Sequence, residues 1–248
     1  MRSVRTALRV LEAVADYQPA GVGQLSRALD LPKSSVQRVL RTLGAAGWIQ
    51  PTAGGMTRWV LTARARHVGR LAGEETDIRE AAIAAMEMLR RETGETIHLM
   101  VPEGDRAVLI ERLQTSNPVR IVLPLGSSVP LHGSSNGKAM LARLRPDGVR
   151  ALLGDMLPQY TDTTIVDWER LEAELAEIRK RGYATNAGEW RADIAAVAAA
   201  ILRDEDEPVA SLSVSTPISR MSPDTAARYG ALVAEAAGQV SAALGYRG

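Results

Sequence analysis

Residues 23–49 read GQLSRALDLPKSSVQRVLRTLGAAGWI, and this stretch decides the fold of the N-terminal region. Val22, Leu25 and Leu29 fall on one face of a short helix. Asp30-Leu31-Pro32 is a tight link, and Pro32 suits the first turn of a second helix. That helix runs to about Ala46, with Val36, Val39, Leu40 and Leu43 as its apolar face and Gly47 as its stop. Burying those four turns Ser34, Ser35, Gln37, Arg38 and Arg41 outward. These residue types suit a helix in the major groove. Arginine grips guanine bidentately, glutamine reads adenine, and short hydroxyls allow close approach. Lys33 and the backbone amides at the helix start suit phosphate. A merely solvated polar face is the plain alternative, so the surroundings have to decide.

What surrounds the stretch favours DNA. Upstream, residues 3–17 read as a helix in which Val4, Leu8, Leu11 and Ala15 recur at helical spacing, broken by Pro19-Ala20-Gly21. Downstream, Trp48-Ile49 and Arg58–Leu61 read as two strands around a turn-rich tip, Pro51-Thr-Ala-Gly-Gly. Three helices and a hairpin in residues 1–62 make a winged helix-turn-helix, with Arg58 beside the wing placed to reach backbone or minor groove. The net charge is only +1, but it is unevenly spread. Residues 1–72 carry Arg2, Arg5, Arg9, Arg27, Lys33, Arg38, Arg41, Arg58, Arg64, Arg66 and Arg70 against Glu12, Asp16 and Asp30. Acids outnumber bases from Glu74 onward. A local basic excess is the footprint of a phosphate-binding surface.

The rest of the chain changes rhythm. Residues 63–75 read as a linker helix, and 76–248 as a second domain. Thr76 is placed to cap a helix with Ile78, Ala82, Ala85, Met86 and Leu89 inside, closed by Gly94. Strands follow at Glu95–Val101, Arg106–Leu113 and Val119–Leu123. Helices are expected at about 135–144, 146–154 and 167–181. Strands are expected again at Tyr183–Asn186, Ile194–Leu202 and Pro208–Thr216, and Ser222-Pro223 opens a last helix. The class is α+β, an antiparallel sheet of five or six strands flanked by helices.

Composition excludes several functions. The sequence has no cysteine, so disulfides and thiolate chemistry are out, and three histidines leave little for a zinc site. No apolar run approaches ~18 residues, so no membrane span is expected, and the N-terminus lacks a signal-peptide core. A cytoplasmic location fits. His132 near Ser134 and Ser135 is the one hint of a hydrolase. No G-x-S-x-G elbow is present and no acid is placed to orient the histidine, so His132 reads as a loop anchor. His98 reads as a packed strand residue, and Asp204–Glu207 as a solvated turn. No nucleotide or metal motif appears, and no cofactor is expected.

Four segments carry a resemblance. L-x-L-P-K-S-S-V-x-R-x-L with the following G-W-I hairpin resembles the IclR family of regulators. So do PLHGSSNGKAMLA at 130–142, IRKRGYATNAGEW at 178–190 and PVASLSVSTPISRM at 208–221. The resemblance spans nearly the whole chain in order. It implies a GAF-like C-terminal domain that binds a small-molecule effector, usually a carboxylate or aromatic metabolite. It also implies dimers or tetramers assembled partly through the N-terminal and linker helices. Carried over, it selects Ser135, Asn136, Asn186, Ala196, Ser213 and Ser215 for the effector. The residues agree with that placement: amides at the start of the 135 helix suit a carboxylate, and Ser211, Ser213 and Ser215 share one strand face with Leu212 and Val214 opposite. Ile121, Leu123, Val129 and Ile194 supply an apolar lining.

Two departures bear on the ligand. The family often has an acid where Asn186 stands, and a G-[VL]-x-[CS]-[IL]-A-x-P strand where this chain reads ADIAAVAAAI at 192–201. The ligand expected here is larger or more apolar than a two-carbon acid. A regulator whose second domain only oligomerises is the competing reading.

Overall fold

In the computed structural model, which describes residues 2–52, 57–70 and 75–247, the helix after Pro32 forms as its apolar spacing demands. The N-terminal unit, Met1–Gly73, contains α1 (Arg2–Tyr17), α2 (Val22–Leu29), α3 (Lys33–Ala45), β1 (Ile49–Pro51), β2 (Trp59–Leu61) and α4 (Ala63–Arg70). Asp30 ends α2 in the left-handed region, φ 52°, which an aspartate tolerates better than a branched residue. Leu31 N–H then reaches the Ser26 carbonyl, and the Ser26 hydroxyl donates to the Leu31 carbonyl at 2.6 Å. This link fixes α3 against α2. Val36, Leu40 and Leu43 of α3 join Val10, Ala13 and Val14 of α1, Leu25 and Ile49 in one core. Val39 is only half-buried. β1 and β2 pair antiparallel as the hairpin; the tip at 53–56 lies outside the described residues.

α1 differs from its expected pattern. It buries Val10, Ala13 and Val14, whereas Val4 and Leu8 of the sequence-derived stripe are 55% and 53% exposed. The helix has two apolar stripes, and this unit covers one of them. Thr76 is not a cap either: α5 (Glu75–Thr93) already includes it.

The second unit, Glu74–Gly248, is a six-stranded antiparallel sheet between helices. After α5 come β3 (Thr96–Glu103), β4 (Arg106–Leu113), β5 (Ser128–Pro130), α6 (Ser135–Leu141), α7 (Pro146–Leu153) and α8 (Trp168–Arg181). Then follow β6 (Ala184–Ala187), β7 (Ile194–Leu202), β8 (Pro208–Pro217) and α9 (Pro223–Ala243). The strand order is β5-β4-β3-β8-β7-β6. The last two long helices are punctuated chemically. Asp167 and Ser222 accept from backbone amides at the starts of α8 and α9, and Gly182 stops α8 at φ 82°.

Period-two alternation splits this unit into two cores. Ile97 and Leu99 of β3, Val197 and Ala199 of β7, and Leu212 and Val214 of β8 meet α5 and α9 through Met86, Leu89, Val233 and Val240. On the other face Met100, Leu109, Val129 and Ala198 meet α6, α7 and α8 through Met140, Leu141, Val149, Leu171 and Leu175. Full burial of each Val, Leu, Ile or Met among them contributes roughly 1.5–3 kcal/mol.

The expected strand at Val119–Leu123 is absent. Its alternation is real, because Ile121 and Leu123 are buried and Val119 and Val122 exposed, but its backbone joins no ladder. Pro118 and Pro124 bracket it without N–H donors, and the edge position beside β4 goes to Ser128–Pro130 after the turn at Gly126. The segment is a strap over the sheet, tied by the Arg112 guanidinium to the Leu123 carbonyl and by Arg220 to the Val119 carbonyl at 3.1 Å.

Candidate functional site

α3 is held from beneath by Val36, Leu40 and Leu43, which fixes which residues it offers to solvent. Lys33, Ser34, Gln37, Arg38 and Arg41 are exposed. Ser35 is half-buried; with Arg38, Val39 and Thr42 it lines a groove of about 490 Å³ shared with Ser3, Thr6 and Ala7 of α1. The Arg38 and Arg41 guanidinium groups make no ion pair or hydrogen bond among the described residues. Arg58 is exposed, yet its guanidinium donates to the Pro19 carbonyl at 3.1 Å, tying the hairpin to the α1–α2 link.

The second site is a cavity on the α6 side of the six-stranded sheet. It is lined by His98 and Met100 of β3, Ser134, Ser135 and Asn136 at the start of α6, Asn186 of β6, and Ile194, Ala196 and Ser215 of β7 and β8. Ile121 and Leu123 of the strap, Val129, Trp190 and Arg191 complete it. The cavity volume is only about 30 Å³. That is room for a water or two, so a larger molecule requires the lining to part.

The structure brings together Ile121, Leu123, Val129, Ser135, Asn136, Asn186, Ile194, Ala196 and Ser215, nine of the ten sequence-selected residues. Ser213 is the exception. Its hydroxyl sits behind the wall and accepts from Asn136 Nδ2 at 3.1 Å, while Ser211 donates to Asn136 Oδ1 at 3.0 Å. Two strand serines therefore fix the Asn136 amide from below. Asn186 is committed too, donating to the Gly133 carbonyl at 2.6 Å. The α6 amides are a poorer carboxylate site than expected: the helix has seven residues, and Ser134 Oγ takes the Gly137 N–H at 3.1 Å. Gly137 is required there, because a Cβ would overlap the Leu131 backbone.

Sequence reasoning missed the most telling lining residue. His98 is 1% exposed and places Nδ1 3.1 Å from Ser215 Oγ. Burial, reinforced by the nearby positive charge of Arg112, lowers its pKa to about 3, so the ring is neutral at neutral pH. Its Nε2 and the Ser135 hydroxyl, like the Thr96 hydroxyl at the start of β3, are buried and find no partner among the described residues. His132 is the loop anchor its context suggests, with Nε2 2.9 Å from the Pro158 carbonyl; burial lowers its pKa as well.

Behind the cavity lies a buried ion pair that the sequence did not announce. Lys138 Nζ of α6 donates to Glu189 Oε1 at 2.6 Å and Oε2 at 2.8 Å. Thr161 and Thr164 donate to the Glu189 carbonyl. Burial raises the Glu189 pKa, against the pull of the Lys138 ammonium. The pair pins the loop that carries Trp190 and Arg191 to the helix that carries Ser135 and Asn136. Among the described residues no cluster of side chains fit to hold a metal occurs, and no helix is long and apolar enough to cross a membrane.

A three-helix unit with a hairpin and an outward basic helix, followed by a sheet domain with a polar-floored cavity, is the build of a DNA-binding regulator with an effector domain. Residues 3–53 match the IclR helix-turn-helix domain, and residues 71–242 match the bacterial transcriptional regulator IclR C-terminal domain. The chain is 31% identical over 249 residues to the transcriptional repressor IclR of Escherichia coli, covering 99% of this chain and 90% of that one. The crystal structure of the Thermotoga maritima IclR superposes with a TM-score of 0.78 at 25% identity, covering 99% of this chain and all of that one. An IclR homolog from Microbacterium hydrocarbonoxydans, solved with 4-hydroxybenzoate, gives 0.70 at 26% identity over 98% of each chain. The chain belongs to the IclR family of transcriptional regulators.

Proposed function

We propose that this chain is a repressor, working as a homodimer or homotetramer in the cytoplasm, whose grip on operator DNA is set by a metabolite held in the β3–α6 cavity. α3 is the reading helix, with Gln37, Arg38 and Arg41 at base edges and Lys33, Ser34, Ser35 and Arg58 at the backbone. The observation that carries the sensing half is a buried cavity whose wall holds polar atoms without partners, an arrangement that costs stability unless something occupies it. The uncovered Val4–Leu8 stripe of α1 supports self-association, since an apolar helix face is stable when another helix covers it.

The chemistry is binding rather than catalysis. No acid orients His132, whose Nε2 is spent on a carbonyl, and His98 is neutral and buried. Effector binding then shifts DNA affinity by a coupling free energy of about 1–3 kcal/mol.

Two measurements test this. Arg38→Ala is expected to weaken operator binding by roughly 1–3 kcal/mol while leaving random-sequence binding nearly unchanged. Equal loss on both DNAs would make Arg38 a phosphate contact. A thermal-shift screen is expected to find stabilisers among metabolites larger than three-carbon acids. Stabilisation by glyoxylate-sized acids alone would overturn the size argument, and DNA binding indifferent to every compound would favour a domain that only oligomerises.

A further inference from the structure

Three arginines of the N-terminal unit turn their guanidinium groups onto the protein itself. Arg9 donates to the Leu29 carbonyl at 3.2 Å, Arg58 to the Pro19 carbonyl at 3.1 Å and Arg64 to the Ala46 carbonyl at 2.9 Å. The first two tie α1 to the end of α2 and the hairpin to the α1–α2 link. Arg64 differs in where it sits. It belongs to α4, the helix through which the chain leaves this unit.

Its target is the C-terminal end of α3. Ala46 is the residue at which α3 stops, a position whose carbonyl has no donor within the helix. A cation there also meets the negative end of the helix dipole. The same guanidinium lies over the Trp48 ring, its carbon 5.7 Å from the centroid, and Trp48 packs against the core that holds Val36 and Leu40. Thr62, just before α4, completes the joint. Its hydroxyl donates to the Gly47 carbonyl at 2.6 Å and accepts from the Arg64 N–H at 3.3 Å. Its own N–H donates to the Trp48 carbonyl at 3.0 Å.

These contacts bolt the first turn of α4 to the turn that ends α3. A joint made by the backbone alone would let α4 swing about Thr62. Contacts to Ala46, Gly47 and Trp48 together remove that freedom, so the direction of α4 fixes the direction of α3. Arg64 therefore carries a charge in the basic segment while its hydrogen bond and its stacking face are directed at the protein.

We infer that Arg64 is a positioning residue for operator reading: it clamps the linker helix α4 to the end of α3, so that the linker sets the separation and direction of the two reading helices of a dimer. This rests on the proposed reading of DNA by α3 in a dimer.

Binding to duplexes of altered half-site spacing tests it. The probe is a duplex selected from a random pool by the full-length wild-type protein, with versions one base pair longer and one shorter between the half-sites. One base pair moves a half-site by roughly 3.4 Å and turns it by about a tenth of a turn. The wild type is expected to lose about tenfold or more in affinity on either altered duplex, comparable to one mismatched base pair, and Arg64→Ala to reduce that penalty to about two- or threefold. Arg64 is exposed, so its truncation leaves the core intact. Arg64→Lys keeps the charge without the planar fork and is expected to fall between the two. Thr62→Val removes the hydroxyl of the joint and is expected to relax the spacing in the same direction.

The salt dependence of binding separates a clamp from a phosphate contact. Arg64→Ala is expected to keep the wild-type slope of log affinity against log salt, whereas Lys33→Ala is expected to lower it by about one and to keep the spacing penalty. A slope lowered by about one in Arg64→Ala makes Arg64 a phosphate contact and overturns the inference. So does a wild type indifferent to spacing, or a spacing penalty undiminished in both Arg64→Ala and Thr62→Val. If Lys33→Ala and Arg38→Ala also leave binding unchanged, the reading role of α3 falls with the clamp. If those two weaken binding as expected, only the clamp is removed.

Discussion

On one face of the six-stranded sheet Leu212 and Val214 of β8 pack into a largely apolar layer with α5 and α9; on the other Ser211, Ser213 and Ser215 of the same strand meet Asn136, His98 and the cavity. The residues alternate, so both faces come from one stretch of backbone. The apolar face needs only volume and hydrophobicity. The polar face must satisfy each buried donor and acceptor, and it leaves two groups at the cavity unsatisfied. The difference supports the proposed ligand site: one face makes the domain stable, and the other gives up part of that stability where the ligand is proposed to bind.

The sharpest way to break this contrast is at the buried ion pair. Glu189→Ala leaves the Lys138 ammonium buried and unpaired, and a loss of roughly 3–5 kcal/mol in denaturant unfolding is expected. Lys138→Met combined with Glu189→Leu is expected to recover most of it, because an apolar pair tolerates burial. If the single variant were as stable as wild type, the pair would not hold the cavity loop.

Leu212→Ala tests the opposite face. A cavity-forming loss of about 2–5 kcal/mol is expected, with ligand response retained in the folded fraction. Loss of ligand response at unchanged stability would mean that the two faces are not separable.

The smallest expected effect is a pH slope from His98. Its folded pKa of about 3 lies below the ordinary 6.5, so the unfolded chain binds the extra proton. The stability from the neutral ring is therefore complete above about pH 6.5 and is lost as pH falls toward 3, at about 1.4 kcal/mol per pH unit. Between pH 6.5 and 5 this amounts to roughly 2 kcal/mol. His98→Leu is expected to flatten that part of the profile, and an unchanged slope would place the titration elsewhere.

The helix proposed to read DNA, α3, was legible because its instructions are local. Pro32 sets the start, the Val36-Leu40-Leu43 spacing sets the buried face, and the outward residues follow from the helical period. α1 was misread because Val4-Leu8-Leu11-Ala15 is as periodic as the stripe through Val10 and Val14, and only packing against α2 and α3 chose between them. The strap was misread because alternation shows which side chains turn inward but not whether the backbone finds a partner.

The sequence by itself determined the class of both units, the order of elements and, through four segments, the family. It also indicated most of the cavity lining, because a family pattern fixes which positions face one another. Tertiary structure alone decided what those residues are doing. It turned Ser213 from a contact into a support for Asn136, made His98 a neutral polar group at the cavity wall, and joined Lys138 to Glu189 across fifty-one residues. The physical reason is that periodicity records how a residue faces its own element. Charge state, burial and hydrogen-bond partners depend on what the rest of the chain brings to it.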